Sequence, residues 1–219
     1  VNRPKWPPIP GEYFAFCEGK VCPVAISTLS SVKLAEELAS LKPKGLCIVG
    51  KTETENIGID KIIKNTITNP SIRFFMVTGQ DSQGHYSGKT LLALSRNGVD
   101  KNMKVIGSAG RQPILRNVSF SEVETFRRQV QVIDLIGCED SKVITEKISE
   151  LSQEANSTFG YTESFLPVTR APKILTGEPQ RLKMDKAGYF VIIPSPDTKT
   201  ITVEHYGYDN KLLHTIEGK

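Results

Sequence analysis

Short apolar runs alternate with segments of helical periodicity over the first 155 residues of the chain. The apolar runs predict β-strands, which we place at Tyr13–Cys17, Val24–Thr28, Leu46–Val49, Ile72–Thr78, Lys104–Ile106 and Val132–Ile136. The segments with apolar residues at helical spacing predict α-helices at Val32–Ser40, Asn56–Thr66, Ser87–Asn97, Ser121–Gln131 and Ser141–Ala155. This alternation is typical of an α/β fold, with a Rossmann-like, mainly parallel sheet flanked by helices.

The two ends of the chain depart from this pattern. Four of the first ten residues are prolines, which predicts an extended arm over residues 1–10, ahead of an α/β domain at residues 11–155. Residues 156–187 contain three prolines and two glycines without clear periodicity, and we expect a linker there. Strand-like segments at Gly188–Pro194, Thr200–Tyr206 and Lys211–Glu217 are separated by turn residues, so residues 188–219 are predicted to form a small β-meander.

Composition and charge argue against two classes of function. The apolar runs are much shorter than the ~20 residues that a membrane-spanning helix requires, so we expect a soluble, cytoplasmic protein without membrane insertion. The net charge of +4 comes from 28 basic and 24 acidic residues that are interspersed along the chain. Because no nucleic-acid recognition motif accompanies this mild basicity, binding to nucleic acid is not indicated.

The four cysteines are sparse, and the sequence starts without a secretory signal pattern, which favours a reducing compartment. Cys47 and Cys138 fall inside apolar runs and are expected to be small core residues. Cys17 and Cys22 are spaced like half of a metal site, but no second half accompanies them. We therefore predict that they are free structural thiols.

Three polar or glycine-rich segments follow predicted strands, at Gly50–Gly58, Gly79–Gly88 and Gly107–Pro113. In an open parallel sheet, ligands bind beyond the carboxyl ends of the strands, so these segments are the first candidates for a binding site. In the second segment, glycines permit close approach of a ligand, the following helix offers N-terminal N–H groups, and Ser87 and Thr90 add hydroxyls.

His85 is the single imidazole in these three segments. A lone loop histidine is more often a surface or hydrogen-bonding residue than a ligand, so residue type alone does not decide its role. The run Gly88-Lys89-Thr90 matches the end of a phosphate-binding loop, but Gln83 stands where that motif requires glycine. No GxGxxG motif occurs either, so neither a triphosphate site nor a dinucleotide site is predicted.

Long stretches of the sequence resemble one known family. The stretches GKTETENIGIDKIIKNTITNPSIRFF, GHYSGKTLLALSRNGVD, VIGSAGRQP and VQVIDLIGCED closely resemble the A subunit of tetrahydromethanopterin:coenzyme M methyltransferase, the cobalamin-carrying subunit of methanogenic archaea. The resemblance runs through most of residues 8–155. It implies a cobalamin, that is a cobalt corrinoid, as cofactor, with His85 as the catalytic residue and cobalt ligand. Imidazole suits cobalt, and an axial ligand tunes the reactivity of the metal.

The same resemblance implies further cofactor-binding residues. Glu53, Thr54, Glu55 and Asn56 would bind the peripheral amides of the corrin, or alternatively cap the helix that follows them. The remaining expected cofactor contacts are small or loop residues of the other two segments, namely Gly79, Gly84, Ser87, Gly88, Gly107, Ala109, Gly110 and Pro113. The implied function is a methyl carrier, which accepts a methyl group on cobalt and passes it to an acceptor, with partner methyltransferase proteins supplying donor and acceptor.

Two other functions stay open at this point: a noncatalytic corrinoid-binding, storage or sensing protein, and an interaction module that has lost the cofactor. The membrane-bound family subunit ends in a transmembrane anchor where this chain continues into the meander. We therefore expect residues 11–155 to bind the corrinoid alone and the meander to serve stability or partner choice.

The other two histidines lie in the meander. Pairing of its last two strands puts His205 and His214 on one face with apolar neighbours, namely Ile201, Val203, Leu212 and Ile216. Because no carboxylate or thiolate completes a ligand set on that face, we expect edge packing here rather than a metal site.

Overall fold

The structure, a computed structural model, describes residues 6–17, 22–155, 173–174, 188–195 and 199–218. The strands are β1 (Tyr13–Ala15), β2 (Val24–Ser27), β3 (Leu46–Gly50), β4 (Phe74–Gly79), β5 (Gln131–Ile136), β6 (Lys173–Ile174), β7 (Tyr189–Ser195), β8 (Thr200–Tyr206) and β9 (Leu212–Gly218). The helices are α1 (Val32–Leu41), α2 (Ile57–Ile67), α3 (Ser87–Asn97), α4 (Phe120–Gln129) and α5 (Ser141–Glu154).

The first sheet has five strands in the order β1-β3-β2-β4-β5. Strands β2 to β5 run parallel, and β1 adds an antiparallel edge on β3. The prediction of a mixed α/β fold with a mainly parallel sheet is therefore confirmed. The chain passes from β3 across β2 to β4, which is a reversal of strand order of the kind that opens a crevice at the carboxyl edge.

The predicted strand at Lys104–Ile106 is wrong. These residues make only isolated bridges, Val105 with Val99 and Lys104 with Ile114. Val105 is buried while its two neighbours are exposed, so a single apolar side chain anchors a loop to the core. Local alternation of apolar and polar residues predicted a strand, but within the residues that the structure describes the segment joins neither sheet.

Helices cover both faces of this sheet. One apolar cluster joins α2, α3 and α4 to the face that carries Ala25, Phe75 and Val77. The other joins α1 and α5 to the opposite face, through residues such as Met76. Alternate residues of β4 therefore belong to different clusters, as expected of a strand that is buried on both sides.

Two predicted helix boundaries are confirmed by their caps. The Asp140 side chain accepts hydrogen bonds from the N–H groups of Lys142 and Val143 at the start of α5. Gly98 follows α3 with a positive φ of 70°, and its N–H donates to the carbonyl of Leu94. Glycine adopts this backbone conformation without the steric cost that a side chain would add, which explains why α3 ends there.

The C-terminal sheet has the order β6-β9-β8-β7, and its last three strands form the predicted antiparallel meander. It docks on the α/β layer through polar contacts. Lys61 of α2 donates to the Glu204 carboxylate at 2.6 Å, and the Asn117 amide donates to the carbonyl of Asn210 and accepts from the N–H of Leu212. Most of the predicted linker lies outside the described residues.

The two meander histidines pair as predicted. His205 lies opposite His214, and their rings stack with centroids 5.8 Å apart, while Phe190 stacks on the other side of His205 at 4.5 Å. An irregularity in the pairing at His205/Tyr206 places Leu212 opposite Tyr206. Among the described residues, no group of three or more potential metal ligands occurs.

The cysteine prediction is wrong for one pair. Cys17 and Cys22 form a disulfide, with Cα atoms 6.2 Å apart, a distance within the usual range for such a bridge. Their short separation in sequence is compatible with this pairing as well as with a metal half-site or free thiols. Cys47 and Cys138 are free, and burial raises the pKa of the Cys47 thiol to about 12.

No helix in the part of the chain that the structure describes combines the length and the apolar character needed to cross a membrane.

Candidate functional site

The three predicted segments meet at the carboxyl edge of the parallel sheet. The Ser82 hydroxyl, in the loop after β4, donates to the carbonyl of Glu53, in the loop after β3, at 2.9 Å. The N–H of Gln112, in the third segment, donates to the Glu55 carboxylate at 2.8 Å. Because parallel strands place their carboxyl ends at one edge, the sequence predicted all three segments as parts of one site. The third segment lies there although the strand predicted before it, Lys104–Ile106, makes only isolated bridges.

Glu55 and His85 form the centre of this cluster. The His85 Nδ1 and Glu55 Oε2 atoms are 2.6 Å apart. Glu55 is 1% exposed, whereas 52% of the His85 side chain is exposed. A neutral imidazole that donates from Nδ1 to a carboxylate keeps a lone pair on Nε2. The ring is thus oriented by a buried partner and presents its other nitrogen for a ligand.

The backbone on both sides of His85 has positive φ, at Gly84 (84°) and at Tyr86 (47°). A non-glycine residue in this conformation is uncommon and carries local strain, which concentrates at functional sites. Gly110 contributes to the same packing, because a Cβ atom there would lie 2.7 Å from both the Glu55 Cγ and the His85 carbonyl oxygen. The imidazole therefore projects from a closely constrained turn.

The N-terminus of α3 is capped by the chain itself. The Asp81 carboxylate accepts the N–H groups of Gly88 and Lys89, each at 3.0 Å, and the buried Ser87 hydroxyl donates to the carbonyl of Thr52. A Cβ atom on Gly88 would clash with Leu29. The expectation that this helix end offers free N–H groups to a ligand is therefore wrong for these two groups.

Several other expected contact residues have a structural role in this arrangement. The Thr54 hydroxyl accepts the N–H of Gly58, and the Asn56 side chain accepts the N–H of Ile57, so both cap α2. Gly79 packs against the carbonyl of Thr28, where a side chain would not fit.

In the third segment, Gly107 has a φ of 78° and lies near the Asn97 side chain. Pro113 is buried, and its carbonyl accepts the N–H of Val105, whereas Ala109 is exposed. None of these residues lines the cavity that adjoins His85.

That cavity has a volume of about 550 Å³. Among the residues that the sequence predicted for the site, it is lined by Glu53, Thr54, Glu55, Asn56 and His85. It also has lining residues that were not predicted from the sequence, including Trp6, Tyr13, Arg111, Gln112, Tyr189, Val191, Ile193 and Asn210. Arg111 and Gln112 belong to the third segment and could have been proposed. The β7 residues carry no local sequence signal for this position.

Charge around the cavity is partly neutralised within the chain. Lys51 bridges the carboxylates of Glu12 and Glu53, at 2.5 and 3.4 Å. Burial raises the pKa of the Tyr13 hydroxyl to about 12, so this residue is a neutral hydrogen-bonding group at physiological pH.

On α2, the buried Asp60 carboxyl has its pKa raised to about 7 by loss of solvent, although hydrogen bonds from Asn117 lower it.

The fold and the site together define an α/β protein whose cleft lies at the carboxyl edge of the sheet and carries a carboxylate-oriented histidine. The family model for the A subunit of tetrahydromethanopterin S-methyltransferase matches residues 2–170. The chain therefore belongs to the family of tetrahydromethanopterin S-methyltransferase A subunits, which the sequence resemblance predicted.

Three curated relatives illustrate the extent of the similarity. The chain is 37% identical over 155 residues to the A 1 subunit of tetrahydromethanopterin S-methyltransferase from Methanobrevibacter ruminantium, covering 70% of the chain and 61% of the relative. It is 39% identical over 146 residues to the A 2 subunit from Methanothermobacter marburgensis, covering 66% and 76%. It is 42% identical over 148 residues to the A subunit from Methanocaldococcus jannaschii, covering 67% and 59%. The chain thus spans about three fifths of the first and third relatives.

Proposed function

We propose that this chain is a corrinoid-binding methyl-carrier protein that works with partner methyltransferase proteins, and that His85 is the axial ligand of the cobalt. Family membership supports the type of reaction, since the relatives are named as subunits of an S-methyltransferase. The observation that carries the proposal is the 2.6 Å contact between the exposed His85 imidazole and the buried Glu55 carboxylate.

The donor set of the site fits this cofactor. A corrin macrocycle holds its own cobalt, so the protein would add at most one donor, in place of the cofactor's own base. One oriented histidine meets that need, whereas a bare metal ion would require several protein ligands. The 52% exposure of the His85 side chain leaves its ring accessible to such a cofactor.

Each residue of the cluster has a separate task in this proposal. A bound corrinoid supplies a cobalt centre that can carry a methyl group. His85 would hold the cobalt through Nε2, and Glu55 would fix the ring orientation and the tautomer through Nδ1. The Gln112 N–H holds the second oxygen of Glu55, so the carboxylate cannot turn away from the histidine without breaking that bond.

Partner proteins would bring the methyl donor and the methyl acceptor. The relatives are named as A subunits, which supports the participation of other subunits. Among the carboxylates that line the described cavity, Glu55 already serves His85, and Glu12 and Glu53 are paired with Lys51, so we assign activation of donor and acceptor to the partners.

Spectroscopy of the cobalt(II) form tests the ligand assignment. The full chain, labelled with nitrogen-15 histidine, is mixed with cobalamin, reduced to cobalt(II), and examined by electron paramagnetic resonance. The nitrogen-15 hyperfine splitting expected for the wild type should disappear in His85→Ala. It should persist in the control His214→Ala, which removes an exposed histidine of the C-terminal sheet. Equal hyperfine patterns in wild type and His85→Ala would show that His85 is not the ligand.

A second variant tests the role of Glu55. Glu55→Gln keeps the size of the side chain but removes the charge that orients the imidazole. Loss of such a partner typically weakens metal binding by about 10- to 100-fold. A visible-absorption titration with aquacobalamin measures this change, and unaltered affinity would contradict the positioning role.

Turnover separates a methyl carrier from a storage or sensing protein. With partner methyltransferases, a methyl donor and a methyl acceptor such as a thiol, a carrier should cycle repeatedly between methylated and demethylated cofactor as the methyl group passes from donor to acceptor. A storage protein should bind the same cofactor and stay unchanged, which would rule out the carrier function.

A further inference from the structure

Strand β7 forms one wall of the cavity that begins at His85. Tyr189, Val191 and Ile193 line this cavity together with Asn210, from the turn between β8 and β9. The three strand residues alternate along the sequence, so they lie on one face of β7. The C-terminal sheet therefore does more than extend the chain beyond the site, because it contributes part of the surface that a ligand would meet.

The cross-strand pairs confirm which face this is. Val191 lies opposite Glu204, whose carboxylate accepts a hydrogen bond from Lys61 of α2. The face that carries Val191 thus points toward the α/β layer. Ile192 lies opposite Val203 on the other face and is 64% exposed. Neighbouring positions of one strand therefore meet the cavity and the solvent.

The wall is held in place by buried polar contacts. Glu204 is 2% exposed and accepts from Lys61 at 2.6 Å and from the Tyr206 hydroxyl at 2.9 Å. The Tyr189 hydroxyl donates to the Asn210 side chain at 2.6 Å. A buried ion pair with both partners hydrogen-bonded fixes position strongly, because separating the charges leaves one of them unpaired. The contacts that join the wall to α2 are thus made within the chain itself.

Other lining residues of the cavity are apolar or aromatic. Trp6, whose indole N–H donates to the carbonyl of Asn65, lines the cavity together with Tyr13, Ile48 and Ile62. His85 and Arg111 are among its polar lining residues. Such a cleft suits a ligand with both apolar and polar groups.

The wall lies outside the part of the chain that the family model describes. The match ends at residue 170, whereas β7 begins at Tyr189. A site feature that comes from this segment is therefore not accounted for by family membership.

We propose that β7 is a ligand-contacting wall, and that Tyr189, Val191 and Ile193 pack against apolar groups of the ligand and limit the size of ligand that fits. This inference rests on the proposed function, which makes that ligand the corrinoid held through His85. It revises the expectation that residues 11–155 alone carry the binding surface.

Two tryptophan substitutions on adjacent residues test the wall in the full chain. Val191→Trp places a large ring in the cavity, whereas the control Ile192→Trp places the same ring on the exposed face. Titration with aquacobalamin, followed by visible absorption, should give a dissociation constant raised at least about tenfold for Val191→Trp and within about twofold of wild type for Ile192→Trp. Circular dichroism reports whether each variant is folded.

A milder variant covers the case in which Val191→Trp fails to fold. Val191→Leu adds one methylene group and should raise the dissociation constant in the same direction, by about two- to fivefold. Folded variants at position 191 that bind cobalamin like wild type would overturn the wall and leave cobalamin binding intact. A wild-type chain that binds no cobalamin would instead refute the proposed function, and this inference with it.

Discussion

Replacement of Asp60 by asparagine should stabilise the protein at alkaline pH and have little effect at acidic pH. Asp60 is 3% exposed on α2, and its Oδ2 accepts hydrogen bonds from the side chain and the backbone N–H of Asn117 at 2.9 and 3.3 Å. Its Oδ1 has no hydrogen-bond partner among the described residues. Loss of solvent around this carboxylate outweighs these bonds and the nearby positive charge of Lys64, and it raises the pKa from 3.8 to about 7.

The sign of the effect follows from proton binding. In the folded state the Asp60 carboxyl holds its proton up to about pH 7, whereas in the unfolded chain it ionises near pH 4. The free energy of unfolding therefore decreases as the pH rises from about 4 to 7, and the penalty is complete above pH 7. At about 1.4 kcal/mol per pKa unit, the difference corresponds to about 4 kcal/mol in full and to about 2 to 3 kcal/mol between pH 5 and pH 8.

Urea unfolding followed by circular dichroism at pH 5, 6, 7 and 8 measures this difference. The asparagine side chain retains an oxygen that can accept from Asn117 but carries no charge. The stability of Asp60→Asn relative to wild type should therefore rise by about 2 to 3 kcal/mol from pH 5 to pH 8. Glu36→Gln, which removes an exposed carboxylate from α1, is the control and should give a nearly constant difference. A constant difference for Asp60→Asn as well would refute the assigned cost of burying this charge.

Two further predictions concern α4. Phe126→Ala should lower the free energy of unfolding in urea by about 3 to 5 kcal/mol, because the Phe126 ring is fully buried and contacts the Phe75 ring edge to face, with centroids 6.0 Å apart. The exposed Phe120→Ala is the control, and a decrease below about 1 kcal/mol for Phe126→Ala would contradict this packing. Ser119→Ala should lower the free energy of unfolding by about 1 kcal/mol, because it removes the capping box with Glu122, whereas Ser119→Asp should retain most of the stability. An equal decrease in both variants would argue against the cap.

Elements with both a periodic pattern and a clear end signal could be predicted from the sequence. Helix α3 has the predicted bounds, because its apolar residues repeat at helical spacing and Gly98 ends it. Strand β8 also has the predicted bounds. The segment Lys104–Ile106 could not be resolved in this way, because its local pattern is that of a strand while its environment offers no ladder partner. The local pattern of apolar and polar residues indicates which side chains are buried, but a strand forms only where a second strand is available to pair with it.

The candidate site was predictable only in part. His85 and the loops after β3 and β4 follow from the rule that parallel strands end at one edge. The partnership of Glu55 with His85 joins residues 30 positions apart, and no periodicity encodes it. The contribution of Val191 depends on how a second sheet docks through Lys61 and Glu204, which are 143 positions apart. Such long-range contacts arise from packing, and no sequence pattern within either segment indicates them.

The Asp81 carboxylate at the start of α3 opposes the binding of phosphates to this helix end. A nucleotide that approached the run Gly88-Lys89-Thr90 would find two backbone N–H groups already bonded, and its phosphates would meet a negative charge. Like charges at this separation repel, and the positive end of the helix dipole is already neutralised. The helix start that looks most like a phosphate-binding loop in the sequence thus has these two N–H groups occupied by a carboxylate of the chain itself, and a phosphate would have to displace Asp81 to reach them.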